Sequence, residues 1–175
     1  YVTPDKRHLF SLCAEGDFSE SFSLCEYFPE TNSVQIIFKF DDTITHYPKA
    51  IKGSKIHTSL CSMPDGRVIF QNHTTAAAAH HPIWMPYAYR NHMWEGFPGS
   101  NIMIWDPKTN KIEDLGIPVR YESLYGGVYS ARANAFFSVT LMNGHVYRFD
   151  LKDRRVTDYG NLTESSCCCI KVGPD

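Results

Sequence analysis

The sequence repeats itself, and the length of the repeat restricts the fold more than any other feature. Residues Glu26–Val34, Ile104–Ile112 and Arg148–Val156 share one order: an aromatic, a short polar turn, then apolar positions that alternate. Asp or Pro opens each turn and Thr-Asn or Asp-Arg closes it, which reads as strand, tight turn, strand. A second element precedes each of these. Val2–Phe10 matches Ser62–Phe70, a degenerate copy follows at Ser130–Phe137, and Val172–Asp175 begins another. Pro-Asp-Gly at Pro64–Gly66 is a hairpin signal, since Pro presets φ and Gly accepts a positive φ. Asp106 and Asp150 lie 44 residues apart, and Ala131 and Pro174 lie 43 apart.

A period of roughly 40–50 residues holding four short strands is that of a β-propeller blade. Helical solenoids of similar period need an i, i+3, i+4 apolar stripe with caps, and no segment has one. A β-sandwich is the competing all-β arrangement. The expected fold is therefore all-β: a partial β-propeller of about three four-stranded antiparallel blades belonging to a larger ring. The first blade spans about 1–41 and lacks its own innermost strand, and the second spans about 54–116. The third spans about 123–160, and 166–175 starts the next. Strands are expected in the second blade at 55–62, 67–72, 101–106 and 111–115, in the third at 124–130, 135–140, 145–150 and 155–159, and then at 166–172. The remaining blades of the parent chain are the first expected partner.

The second blade is interrupted. Phe70 and Asp106 are 36 residues apart, whereas the matching Phe137 and Asp150 are 13 apart, so an insertion occupies 73–99. It carries His73, His80, His81, Trp84, Tyr87, Tyr89, Arg90, His92, Trp94 and Glu95. Long loops in compact domains are usually functional or disordered, and this one is too aromatic for disorder. Blade topology puts this insertion and the entry to each innermost strand on one face of the disc. Seven of the eight histidines, all but His8, fall there. His57 heads an innermost strand, and Tyr125 begins the next one. These observations single out His57, His73, Tyr125 and Arg90 as candidates for proton transfer and charge neutralisation. Trp84, Tyr87, His81 and Arg120 are the candidates for holding a ligand. Each has a plainer reading: loop histidines with exposed rings, aromatics anchoring the loop, solvated arginines, and a rim position for His145.

Composition narrows the partners. Hydrophobic residues make up 43% of the chain and charged ones 21%, a globular balance. A formal charge of −2 without a basic run offers no footprint for nucleic acid or a membrane surface. No apolar stretch approaches the roughly 18–20 residues that span a bilayer. Cys13, Cys25, Cys61 and Cys167–Cys169 have no zinc-type spacing and read as buried thiols or a disulfide. The Asn72 and Asn161 acceptor patterns lean toward an extracytoplasmic setting, and the compartment stays open. The chain opens at Tyr1 without an initiator Met and stops in an unfinished turn, so both ends read as cut.

The Pro-Asp-Gly hairpins and the turn at Asp106–Lys111 resemble propellers with quinoprotein-like or YVTN-type repeats. The His-rich second blade and its aromatic loop resemble, more distantly, propeller-type polysaccharide lyases, which act on uronate-containing chains. That resemblance implies a carbohydrate-active lyase or hydrolase working on the histidine face. There His57 or His73 would act as base or neutraliser, Arg90 or Arg120 would hold the carboxylate, Tyr125 would move a proton, and Trp84 and Tyr87 would hold sugars. A divalent metal on some of His57, His73, His80 and His81 is a variant, and the cofactor is otherwise unspecified. The alternative is a propeller module that binds a protein, glycan or small molecule without chemistry.

Overall fold

The computed structural model describes residues 1–13, 21–44, 52–74, 97–141, 144–162 and 169–173. Eleven strands fall into three antiparallel sheets that follow one another along the chain. The first holds β1 (His8–Leu12), β2 (Ser23–Phe28) and β3 (Ser33–Lys39), followed by a single helical turn, α1 (Phe40–Thr43). The second holds β4 (Cys61–Ser62), β5 (Val68–Gln71), β6 (Ile102–Asp106) and β7 (Lys111–Asp114). The third holds β8 (Leu124–Ser130), β9 (Ala135–Thr140), β10 (His145–Asp150) and β11 (Val156–Asn161). Within each sheet every strand pairs with its sequence neighbour, which is the up-and-down order of a propeller blade.

The repeat seen in the sequence is a repeat of backbone geometry. Lys6, Gly66 and Asn134 occupy equivalent turns just ahead of β1, β5 and β9, with φ of 65°, 89° and 44°. Asn32, Asn110 and Arg154 occupy the turn before the last strand of each sheet, at 49°, 55° and 58°. Asn suits this left-handed region because its short polar side chain bonds locally. Here it also accepts from the aromatic that opens the turn: Tyr27 Oη to Asn32 Oδ1 at 3.1 Å and Trp105 Nε1 to Asn110 Oδ1 at 3.0 Å. Asp114 and Asp158 then each accept from the amide two residues on, at Gly116 and Gly160, whose φ values are 88° and 82°.

The sheets pack face to face. Val68 lies opposite Trp105 and Phe70 opposite Met103, so these four side chains share one face of the second sheet. They join Leu9, Phe22, Leu24, Phe38 and Phe40 of the first sheet and its flanks in one buried cluster. The opposite face presents Ile69, Ile102 and Ile104, which pack with Leu124, Phe136 and Phe149 of the third sheet. Burial on both faces explains why β5 and β6 read as nearly continuous apolar runs. Burying such side chains stabilises by about 1.5–3 kcal/mol each, so these two seams hold the blades together. The outer faces differ: Leu12, Val34 and Ile36 of the first sheet are 48%, 55% and 47% exposed.

One charged group crosses the first seam. Arg7 donates to both carboxylate oxygens of buried Glu26, at 2.8 and 2.7 Å, and lies 4.9 Å from the Trp105 ring centroid. The Glu26 hydrogen bond raises the Arg7 pKa further, so the guanidinium stays charged. Cys13, Cys25 and Cys61 are free thiols, and burial pushes those of Cys25 and Cys61 up, away from reactivity.

Two strand expectations change. The innermost strand of the second blade, expected over 55–62, is regular only at Cys61–Ser62. Ahead of it, Lys55 bridges antiparallel to His73 and Thr58 bridges parallel to Gly126. This segment divides its backbone hydrogen bonds between its own sheet and the next, so no continuous ladder forms. The strand expected over 166–172 does not appear in the part described, since residues 169–173 carry no ladder.

Candidate functional site

The divided segment at Lys55–Thr58 positions the candidate site. Its bridge to His73 places Lys55 and His73 directly opposite each other, with their side chains on one side. His57, two residues on, points the same way, while Ile56 between them enters the first seam. Across the second seam, β8 runs beside this segment, and the Gly127 amide donates to Thr58 O at 3.0 Å. Tyr125 therefore meets both histidines. Its ring centroid lies 4.2 Å from that of His57 and 4.6 Å from that of His73, and the two imidazoles are 5.8 Å apart. The three centroids form a triangle in which each imidazole is tilted against the Tyr125 ring, by 37° and 32°.

The three rings differ in exposure, which separates their chemistry. His57 and Tyr125 are half-buried, whereas His73 is fully buried. Burial first, then the positive charge of Lys55 and the proximity of His57, hold the His73 pKa well below the usual imidazole value. His73 is thus neutral over the physiological range. Its Nδ1 lies 2.6 Å from Ser123 Oγ, and its Nε2 is buried without a hydrogen-bond partner. Gln71, two residues earlier on the same face, is also fully buried. Its Oε1 accepts from Ser138 Oγ and its Nε2 has no partner. Ser59 Oγ accepts from the Gln71 amide at 3.2 Å and donates to its carbonyl at 3.1 Å, fixing the strand beneath.

Sequence reasoning named His57, His73 and Tyr125, and the structure brings these three together. Arg120 is exposed in the loop before β8, and among the described residues no contact joins it to the rings. Arg90, Trp84, Tyr87 and His81, with His80, lie outside the described residues. Lys55, Gln71 and Ser123 were missed. The first two carried a signal: each stands two residues before a named histidine in an extended segment, so the period of a strand puts them on the same face. Ser123 had none, because it reaches His73 only through the folding of one blade against another. Among the described residues no group of three or more His, Cys, Asp or Glu is arranged to hold a metal ion.

His145 sits apart from this cluster. Its Nδ1 lies 3.0 Å from Asp158 Oδ2, and its ring stacks on Tyr147 at 5.9 Å. Burial and the carboxylates of Asp158 and Glu122 push the Tyr147 hydroxyl up to about 12.

No family model matches the chain, and no curated protein matches it. Two solved structures are similar at low identity. TolB from Acinetobacter baumannii is 16% identical with a TM-score of 0.48, over 93% of this chain and 31% of TolB. A puromycin-hydrolysing peptidase of Mycobacterium tuberculosis is 14% identical with a TM-score of 0.47, over 89% of this chain and 20% of the peptidase. The chain thus spans less than a third of either. The resemblance to polysaccharide lyases has no counterpart among these findings. The architecture rests on the strand order and the two packed seams: the chain is a partial β-propeller of three successive antiparallel blades.

Proposed function

We propose that the chain carries the ligand face of a propeller that acts on acidic, uronate-containing glycans by β-elimination. One observation supports this reading above all. His57, Tyr125 and His73 form a contiguous ring cluster with Lys55 on the same side. An imidazole and a phenol beside a cation supply the base, the acid and the charge that elimination at a uronate calls for.

Elimination at a uronate removes the proton α to the carboxylate. That electron pair forms the C4–C5 double bond, the C4–oxygen bond breaks, and the departing oxygen takes a proton. The proton is acidic enough to leave only if positive charge or hydrogen-bond donors stabilise the carboxylate. Lys55 supplies charge on this face. His57 and Tyr125, both half-buried, are the groups placed to take and return a proton. Buried His73 backs the Tyr125 ring and is assigned no base role, which narrows the sequence expectation.

The test is to incubate the full-length protein with uronate polysaccharides, with and without a chelator, and follow the ultraviolet absorbance of the unsaturated product. The reading predicts a rise that Tyr125→Phe and His57→Ala reduce by at least about 100-fold, the usual worth of an acid–base group. No rise on any substrate would remove the enzyme. Retained glycan binding in that case would make the chain a non-catalytic binding module.

A further inference from the structure

Buried polar atoms without partners are rare in folded proteins, and each calls for an explanation. The second seam holds two, Gln71 Nε2 and His73 Nε2, on side chains that are fully buried. They stand two residues apart in an extended segment, so they share a face at a Cα spacing of roughly 6–7 Å. A carboxylate accepts at both of its oxygens, so it can take one hydrogen bond from each of two donors on one face.

The protonation of both groups follows from their partners. Gln71 Oε1 is occupied by the Ser138 hydroxyl, which leaves the amide NH2 as the end without a partner. Ser123 Oγ accepts from the Thr74 amide at 3.2 Å and has one proton to give. Two acceptors lie in its reach, His73 Nδ1 at 2.6 Å and Thr74 O at 3.2 Å. Where Ser123 gives its proton along the shorter contact, Nδ1 accepts and the ring's own proton sits on Nε2. Both orphans are then donors. A water would bring two hydrogens that need acceptors of their own. An anion oxygen is an acceptor only, and the Lys55 side chain lies on the same side.

We infer that Gln71 Nε2 and His73 Nε2 form an internal two-donor site for the carboxylate of an acidic ligand, with Ser123 as the positioning residue that fixes the His73 tautomer. The inference rests on the reading of this face as an acidic-ligand site, and it names the group that is recognised. The half-buried rings of His57 and Tyr125 lie against His73, on the side open to a ligand.

The experiment is long-range 1H–15N correlation on the full-length protein labelled at histidine nitrogen, titrated with sodium galacturonate, sodium acetate and, as the neutral control, galactose. The expected result is a His73 ring in the Nε2–H form whose Nε2 resonance moves with galacturonate and acetate and stays still with galactose. Gln71→Glu, which keeps the size and replaces the donor by an acceptor, should weaken the galacturonate response at least 10-fold. Ser123→Ala should let the Nδ1–H form appear, and Ser123→Thr should restore the Nε2–H form. A His73 ring in the Nδ1–H form, or resonances indifferent to both carboxylates, overturns the inference. A response to acetate and galacturonate without any product from polysaccharide leaves the site standing and removes the lyase. Product formed with a silent His73 does the reverse.

Discussion

Gly127→Ala tests the packing of the second seam. The backbone of Gly127 lies outside the left-handed region, so any cost of a side chain there is steric. A Cβ at this position would sit 2.6 and 2.8 Å from two ring atoms of Phe136 and 3.1 Å from Gln71 Cδ. Carbon atoms prefer a separation of about 3.5–4.0 Å. Phe136 is fully buried, so its ring has nowhere to retreat. Overpacking of this kind costs about 1–3 kcal/mol, and contacts this short belong near the top of that range. Replacing Gly by Ala also restricts the unfolded chain, which returns about 0.4–1 kcal/mol. The expected net loss is about 2 kcal/mol, read by urea unfolding, or about 4–8 °C in Tm. Phe136→Leu shortens the obstructing ring and should recover at least about 1 kcal/mol of that loss in the double variant. Gly66→Ala is the control. Its Cβ meets nothing within 4 Å, but φ is 89°, so it should cost about 1 kcal/mol through the backbone alone and add to Phe136→Leu without coupling. A neutral Gly127→Ala, or one that is merely additive with Phe136→Leu, would refute the close packing of the Phe136 ring over Gly127.

Further outcomes follow from the same geometry. Arg7→Ala leaves the Glu26 carboxylate buried in the first seam and removes the contact with Trp105; after allowance for the partial exposure of Arg7, the expected loss is about 2–3 kcal/mol by urea unfolding, and Arg7→Lys should recover only part of it. His73 is held neutral in the fold but protonates near pH 6.5 once unfolded. Its contribution is therefore fully present above that value and is lost as pH falls below it, by up to about 1.4 kcal/mol per pH unit. Unfolding curves of wild type and His73→Gln between pH 7 and 5 should show the slope in wild type alone. Lys6→Gly relieves a φ of 65° at an exposed turn and should be neutral or stabilising by up to about 1 kcal/mol in a thermal melt. Tyr147 should titrate near pH 12 by ultraviolet absorbance, and Asp158→Asn should bring it down.

Much of the fold is legible in the sequence because a tight turn is local chemistry. Pro64-Asp65-Gly66 and Pro107–Asn110 form the turns their residues dictate, and the strands between them follow from turn spacing. The innermost strand of the second blade was less legible. Residues 55–58 pair with two different sheets, and which sheet takes each backbone group depends on how the blades meet. The site divides along the same line. His57, His73 and Tyr125 were visible because blade topology places their loops and strand heads on one face. The burial of His73, its contact with Ser123 and the donor end of Gln71 arise at the seam, where residues far apart in sequence meet. No local pattern records them.

The central claim is that the His57–Tyr125–His73 face recognises a carboxylated sugar, and calorimetric titration of the full-length protein with a short oligogalacturonate tests it most directly. The account predicts saturable binding that a neutral galactose oligomer does not reproduce, weakened at least 10-fold by His57→Ala. Equal affinity for the charged and neutral oligomers, or none for either, would contradict it.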